Sequence, residues 1–86
     1  LVMSDARQFS DPAEKIAARI AIYLGPHTGR AAVRTYTQKA LGRGAETLRV
    51  EDVPAVLAAL RPMLKTFLGR ERCETVLKII EKEVGR

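Results

Sequence analysis

The apolar positions of this sequence recur every three or four residues, which predicts helices that each bury one face. Four stretches show this spacing, and they run from Asp11 to Leu24, from Pro26 to Leu41, from about Val50 to Leu68 and from Arg70 to Val84. No stretch alternates apolar and polar residues in the way a strand does. The pattern therefore predicts an all-α fold, a compact bundle of short helices.

The sharpest interruption of the pattern is Tyr23-Leu24-Gly25-Pro26. Glycine can end one helix in a left-handed conformation, and proline suits the first turn of the next. Gly69 is expected to end the third helix in the same way. At the start of the first helix, Asp11 is the expected N-cap, with Pro12 in the first turn and Glu14 at the capping-box position.

The third stretch is the least regular. Gly42-Arg43-Gly44 ends the second helix and begins a linker, in which Leu48 is the expected hydrophobic anchor. Glu51 and Asp52 stand near the start of the third helix, where its dipole favours negative charge. Pro62 falls inside the apolar pattern and removes a backbone hydrogen bond, so it predicts a kink or a division of the helix. The bundle accordingly has four helices, or five.

The 86 residues allow a single domain, which we expect over 11–86 behind a flexible leader over 1–10. The lone Cys73 excludes an intramolecular disulfide framework and a cysteine-based zinc cluster, which favours a cytoplasmic location. No secretory signal layout or long apolar run is present, so no membrane insertion is expected. Leu1 and Val2 precede Met3, so either Met3 is the natural start or the chain is a piece of a longer one.

Positive charge is concentrated in one segment of this chain, whose net charge is +5. Between residues 28 and 49 a single carboxylate, Glu46, accompanies five cations, which are the candidate contacts for an anion or a nucleic acid: Arg30, Arg34, Lys39, Arg43 and Arg49. Such a segment can attract nucleic acid, an anionic membrane or an acidic protein. It can equally be a solvated helix face, and no helix carries the residues of a recognition helix.

A second set of residues is the candidate interface. A small chain has a thin core and gains stability by burying apolar surface against a second copy. Small side chains on the second helix permit close approach of another helix, and the third helix carries a wide apolar stripe. The predicted interface residues are Gly29, Ala32, Val33, Tyr36, Leu57, Leu64 and Phe67.

Candidate catalytic groups are few. His27 is the only histidine and has no nucleophile or carboxylate close to it in sequence, so an exposed or packing role is favoured over acid–base work. Cys73 follows two arginines, which favours a reactive thiolate, but it is also in register with the apolar face of the last helix, which favours burial. The loop around Gly25 has no phosphate-binding motif. The sequence predicts no catalytic residue, no cofactor and no metal.

An amphipathic helix ending in Tyr23-Leu24-Gly25-Pro26, followed by a helix of small residues, resembles a short helical domain at the C-terminus of some bacterial signalling proteins, including kinases and response-regulator-like chains. The resemblance also rests on Ile20, Ala32 and Val33, and more weakly on Leu57, Leu60, Leu64 and Leu68. His27 and Thr28 depart from it, because a small apolar residue commonly follows the proline in that group. The resemblance brings no catalytic residues and implies an interaction or dimerisation module.

The sequence therefore predicts a non-enzymatic module for protein interaction or dimerisation in bacterial signalling or assembly, forming a homodimer or binding another protein. The alternative is a small basic protein that binds nucleic acid through residues 30–49. A third interpretation, a protein bound to a membrane surface, is disfavoured because the second helix is rich in alanine rather than in large apolar residues.

Overall fold

The computed structural model describes residues 9–84. This part of the chain forms four α-helices: α1 (Asp11–Leu24), α2 (Pro26–Leu41), α3 (Val53–Leu68) and α4 (Arg70–Val84). Two short 3-10 helices, Ala45–Thr47 and Val50–Asp52, lie in the linker between α2 and α3. Residues 9–84 contain no strand, and the predicted all-α bundle is confirmed.

The four helices form a ring, in which α1 and α3 each pack against both α2 and α4. Apolar side chains from all four helices meet in one core, together with Leu48 from the linker, which confirms it as an anchor. The largest fully buried side chains are Ile16, Ile20, Leu48, Leu60, Leu64 and Ile80. The predicted inner face of α4 is also confirmed, since its five apolar members are all buried: Cys73, Val76, Leu77, Ile80 and Val84.

Single glycines connect α1 to α2 and α3 to α4, and they do so with the same geometry. Gly25 has φ 93° and ψ 155°, and Gly69 has φ 86° and a similarly extended ψ of 164°. Side chains with a Cβ are essentially excluded from this region. Each glycine N–H donates to a carbonyl of the preceding helix, and each glycine carbonyl accepts from the following helix. One residue thus ends one helix and begins the next.

Gly29 allows the closest approach between α1 and α2. A Cβ added at Gly29 would lie 2.8 Å from the carbonyl oxygen of Ala17 and 3.1 Å from the amide nitrogen of Ala21. Both are backbone atoms of α1, so no side-chain rearrangement could make room. The close helix contact expected of the small α2 face therefore occurs, but it occurs within one chain.

The same holds for most of the predicted interface. Five of its seven members are buried inside the single chain: Gly29, Ala32, Val33, Leu57 and Leu64. Tyr36 is partly buried and packs against the core. Only Phe67 is strongly exposed. The prediction is corrected for the five buried residues, because spacing alone identified apolar faces that the other helices of the bundle cover; for Phe67 it stays a prediction.

The helix starts differ from the sequence prediction in two places. Ser10 rather than Asp11 is the N-cap of α1, because its hydroxyl accepts a hydrogen bond from the amide of Ala13 at 3.3 Å. Glu14 forms an ion pair with Arg30 of α2. The segment from Val50 to Asp52 is a 3-10 turn, and α3 proper begins at Val53.

Pro62 does not divide the third helix, so residues 9–84 contain four α-helices and not five. The helix continues from Val53 to Leu68, although Pro62 cannot donate to the carbonyl of Ala58. Pro62 and Ala58 are both exposed, so they occupy the solvent side of α3 where water can hydrate the released carbonyl.

The geometry of Gly25 predicts opposite effects for the two mirror-image alanines. The Cβ of an L-alanine at Gly25 would meet no atom within 4 Å, so the backbone conformation alone decides the effect of that residue. L-alanine at this position should lower the free energy of unfolding by about 1–3 kcal/mol. D-alanine, introduced by chemical synthesis, favours positive φ and should raise it by about 0.4–1 kcal/mol. Urea unfolding of the two synthetic chains tests this, and equal stabilities would contradict it.

A second prediction concerns Thr37 of α2, which is fully buried. Its hydroxyl has no hydrogen-bond partner within residues 9–84. Because a buried unsatisfied polar group is unfavourable, Thr37→Val should raise the free energy of unfolding by about 1–3 kcal/mol. Thr35→Val, at an exposed position of the same helix, is the control and should change it by less than about 0.5 kcal/mol. A destabilised Thr37→Val protein would show that the hydroxyl is satisfied.

Candidate interaction surface

The end of the bundle that carries the two glycine connections exposes large apolar side chains. Ile22, which precedes this end on α1, is 65% exposed, and Phe67 near the end of α3 is 63% exposed. Tyr23 is 38% exposed and lines a cleft of about 710 Å³ against the connection between α3 and α4. This cleft places the last turn of α1 beside the first turn of α4, and so brings the two connections to one end of the molecule.

Phe67 is exposed although it lies in register with the core. Leu60 and Leu64 are fully buried, and Phe67 continues their stripe three residues further along α3. The ring therefore extends the apolar face beyond the point at which the other helices cover it. Ile22 is exposed for a different reason, because it lies on the side of α1 opposite the buried Ile16 and Ile20.

Unpaired positive charge accompanies these side chains. Arg70 and Arg72 line the same cleft as Tyr23, and Glu71 is the carboxylate between them. Neither arginine forms an ion pair within the described part of the chain. We call this region, consisting of Ile22, Tyr23, Phe67, Arg70 and Arg72, the double-turn surface.

The predicted basic segment is different, because intramolecular contacts occupy most of its cations. Arg30 pairs with Glu14 at 2.7 Å, and its guanidinium also lies 4.0 Å from the centre of the Phe9 ring. A guanidinium nitrogen of Arg49 lies 3.6 Å from a carboxylate oxygen of Glu51. Arg34 stands over Phe9 at 5.7 Å, and Lys39 lies at the same distance from the Tyr36 ring. These two line a separate cleft of about 600 Å³ with Phe9, Gln38 and Glu46.

Arg43 holds the linker together. Its guanidinium donates to the carbonyl and hydroxyl oxygens of Thr47 at 3.1 and 3.2 Å, and to Asp52 at 3.2 Å. Asp52 also accepts a 3.0 Å hydrogen bond from the backbone N–H of Arg49. That backbone bond, followed by the contacts with Arg43, lowers the pKa of Asp52. Arg43 therefore stabilises the linker, and its charge is not free to contact an external anion.

Ion pairs join the other helices at their edges. Arg19 of α1 pairs with Glu83 of α4, with one of its hydrogen bonds at 2.9 Å, and this contact lowers the pKa of Glu83. Arg61 of α3 pairs with Glu74 of α4. Each of these exposed ion pairs contributes little to stability, but its arginine is already engaged and is less available to an external anion.

The two candidate reactive groups do not meet. His27 is exposed on the first turn of α2, while Cys73 is 1% exposed and its thiol donates to the carbonyl oxygen of Arg61 at 3.6 Å. Burial raises the pKa of Cys73, which disfavours the reactive thiolate. The buried role favoured by the sequence is confirmed. Within residues 9–84 no group of histidine, cysteine and acidic side chains could hold a metal ion.

Sequence reasoning missed most of the double-turn surface. In the sequence Tyr23 is part of the break between two helices, and Arg70 and Arg72 bear only on the reactivity of Cys73. Ile22 was overlooked, although a large apolar residue opposite the Ile16 and Ile20 stripe was the available signal. The pairing of the two connections at one end depends on tertiary packing and had no sequence signal.

Comparison with known proteins adds no further constraint. The chain matches no protein-family model, and no curated protein or solved structure is significantly similar to it. Within the described residues, no helix is long and apolar enough to cross a membrane. The functional argument therefore depends on the surface and charges of this chain.

The linker contacts generate a prediction about the titration of Asp52. Its lowered pKa means that the stabilisation it provides is present above the ordinary aspartate pKa and is lost as the pH falls through the folded-state value. Arg43→Gln should raise the pKa of Asp52 without restoring its ordinary value, because the Arg49 amide still donates to it. Arg34→Gln removes an equal charge and should leave that pKa unchanged. Carboxyl NMR titration would contradict this if both variants shifted Asp52 equally.

Proposed function

We infer that this chain is a non-enzymatic protein-interaction module that binds its partner through the double-turn surface. One observation carries the proposal: Phe67 is 63% exposed at a position in register with fully buried leucines. A polar residue at Phe67 would leave the core intact, since Leu68 is the large apolar residue of this last turn that packs against it. An exposed aromatic side chain next in sequence to Leu68, which lines the cleft with Tyr23, is typical of an interaction site.

Other features support the cellular location, the biological role and the kind of partner that we propose. A lone buried thiol and the lack of a disulfide are consistent with the cytoplasm, where we place the protein. The resemblance carried by Leu24-Gly25-Pro26 supports a role in bacterial signalling or assembly. The partner is another protein or a second copy of this chain.

Nucleic-acid binding through the basic segment is the second candidate. Arg34 and Lys39 support it, since neither forms an ion pair within residues 9–84 and both line one cleft. The pairing of Arg30, Arg43 and Arg49 with carboxylates weighs against it. Salt-dependent binding to DNA or RNA that Arg34→Gln with Lys39→Gln removes would favour this candidate over the interaction module.

Replacing Phe67 should separate binding from folding. Because most of the ring is exposed, Phe67→Ser should change the free energy of unfolding by less than about 1 kcal/mol. Leu64→Ala, one turn earlier and fully buried, should lower it by about 2–5 kcal/mol. Denaturant titration of both variants checks this part of the prediction. A large loss of stability in Phe67→Ser would assign the ring to the core.

The binding test uses the same variant with a matched control. The full chain is cross-linked in its cells of origin, the protein it captures is purified, and affinity is measured by calorimetry alongside the sedimentation mass of the chain alone. Phe67→Ser should weaken binding by at least about tenfold, as expected for an aromatic anchor. Thr66→Ala, also exposed, should retain it. Equal binding by both variants, or a lasting monomer that captures nothing, would refute the proposed function.

A further inference from the structure

The charges around the double-turn surface identify the chemistry of the partner. We propose that the occupant is an acidic amphipathic segment of another protein, whose apolar side chains pack on Ile22, Tyr23 and Phe67 and whose carboxylates pair with Arg70 and Arg72. This inference rests on the proposed function and deepens it.

The cleft beside Tyr23 supplies the first argument. It is lined on one side by Tyr23 and on the other by the connection from Leu68 to Arg72, and it also contains Thr75. A cleft of about 710 Å³ can accept a few side chains of a partner. Its walls combine an aromatic ring, a hydroxyl, the Glu71 carboxylate and two guanidinium groups, so positive charge is in excess and the cleft offers apolar contact and charge-assisted donors to one ligand.

The unequal use of arginines supplies the second argument. On the sides of the bundle Arg19, Arg30 and Arg61 each meet a carboxylate of a neighbouring helix. Arg70 and Arg72 meet none within residues 9–84, although Glu71 stands between them in sequence. Arginine binds carboxylates through a planar pair of donors, so two unpaired arginines in one cleft match an acidic ligand.

Nearby charge strengthens the preference. Lys65 is exposed and lies in the last turn of α3, immediately before the Gly69 connection. The same end of the bundle therefore carries Lys65 besides the two arginines. Complementary charge across an interface accelerates association and selects the partner.

The same charges disfavour a second copy as the occupant. Two chains that met symmetrically through the double-turn surface would each bring two arginines and one carboxylate, Glu71, into one interface, so positive charge would be in excess on both sides. Like charges brought together in this way oppose association. The occupant of this surface is therefore another protein rather than a second copy, and the homodimer expected from the sequence stays a prediction.

Fluorescent helical peptides provide the test. One scaffold of about 16 residues carries leucines along one face, and its other positions are Glu, Gln or Lys in three versions. At about 50 mM salt the Glu version should bind the full chain at least about tenfold more tightly than the Gln version, and the Lys version more weakly still. The advantage of the Glu version should shrink as salt rises.

Two double variants with equal net charge localise the effect. Arg70→Gln with Arg72→Gln should reduce the ratio between the Glu and Gln peptides to near one. Lys78→Gln with Lys82→Gln removes the same charge from exposed positions further along α4 and should leave that ratio unchanged. Equal losses in the two double variants would mean that the net charge of the chain attracts the peptide, and would overturn the inference.

The remaining outcomes separate this inference from the proposed function. If both peptides bind equally and Phe67→Ser weakens both, the interaction module stands and the acidic preference falls. If no peptide binds but vesicles containing phosphatidylserine do, the surface contacts membranes and both proposals fail. If sedimentation shows a dimer that Phe67→Ser dissociates, the occupant is a second copy and the inference falls alone.

Discussion

Two glycine connections determine how this chain folds and what it exposes. Gly25 and Gly69 each reverse the chain within one residue through a backbone conformation with positive φ and extended ψ. Glycine is needed at both positions because other residues essentially never adopt this conformation. A reversal this short leaves no loop to separate the two helices or to cover their ends. The last turns of α1 and α3 and the first turn of α4 are therefore exposed at one end of the bundle.

The sequence predicted the helices well and the partner surface poorly, for a physical reason. Helix periodicity and glycine or proline at the breaks are local signals, which is why α1, α2 and α4 begin and end where expected. Whether an apolar face meets its own chain or a partner is a tertiary matter, so Val33 and Leu57 were assigned to an interface that the fold buries. Pro62 does not divide α3, because its exposed position lets water hydrate the carbonyl that it leaves without a donor.

The ion-pair partners of the arginines could not be predicted from the sequence either. The density of cations between residues 28 and 49 is visible in the sequence, but their partners are not. Glu14 comes from α1 and Asp52 from the far end of the linker, and these carboxylates convert Arg30 and Arg43 into structural contacts. Arg70 and Arg72 do not form a conspicuous basic cluster in the sequence, because Glu71 lies between them. In the fold they are the arginines that share a cleft with an exposed aromatic.

The exposure of Phe67 is unfavourable for a chain of this size unless something covers the ring. Full burial of a phenylalanine contributes about 1.5–3 kcal/mol, and total stabilities of small domains are only about 5–15 kcal/mol. A domain with a thin core would gain by turning this ring inward, yet the ring stays 63% exposed while Leu68 of the same turn packs against the core. A partner that covered Phe67, as proposed above, would recover the missing stabilisation. The same contact would bring acidic side chains of the partner within reach of the unpaired arginines, so apolar burial and charge pairing would occur in one binding event.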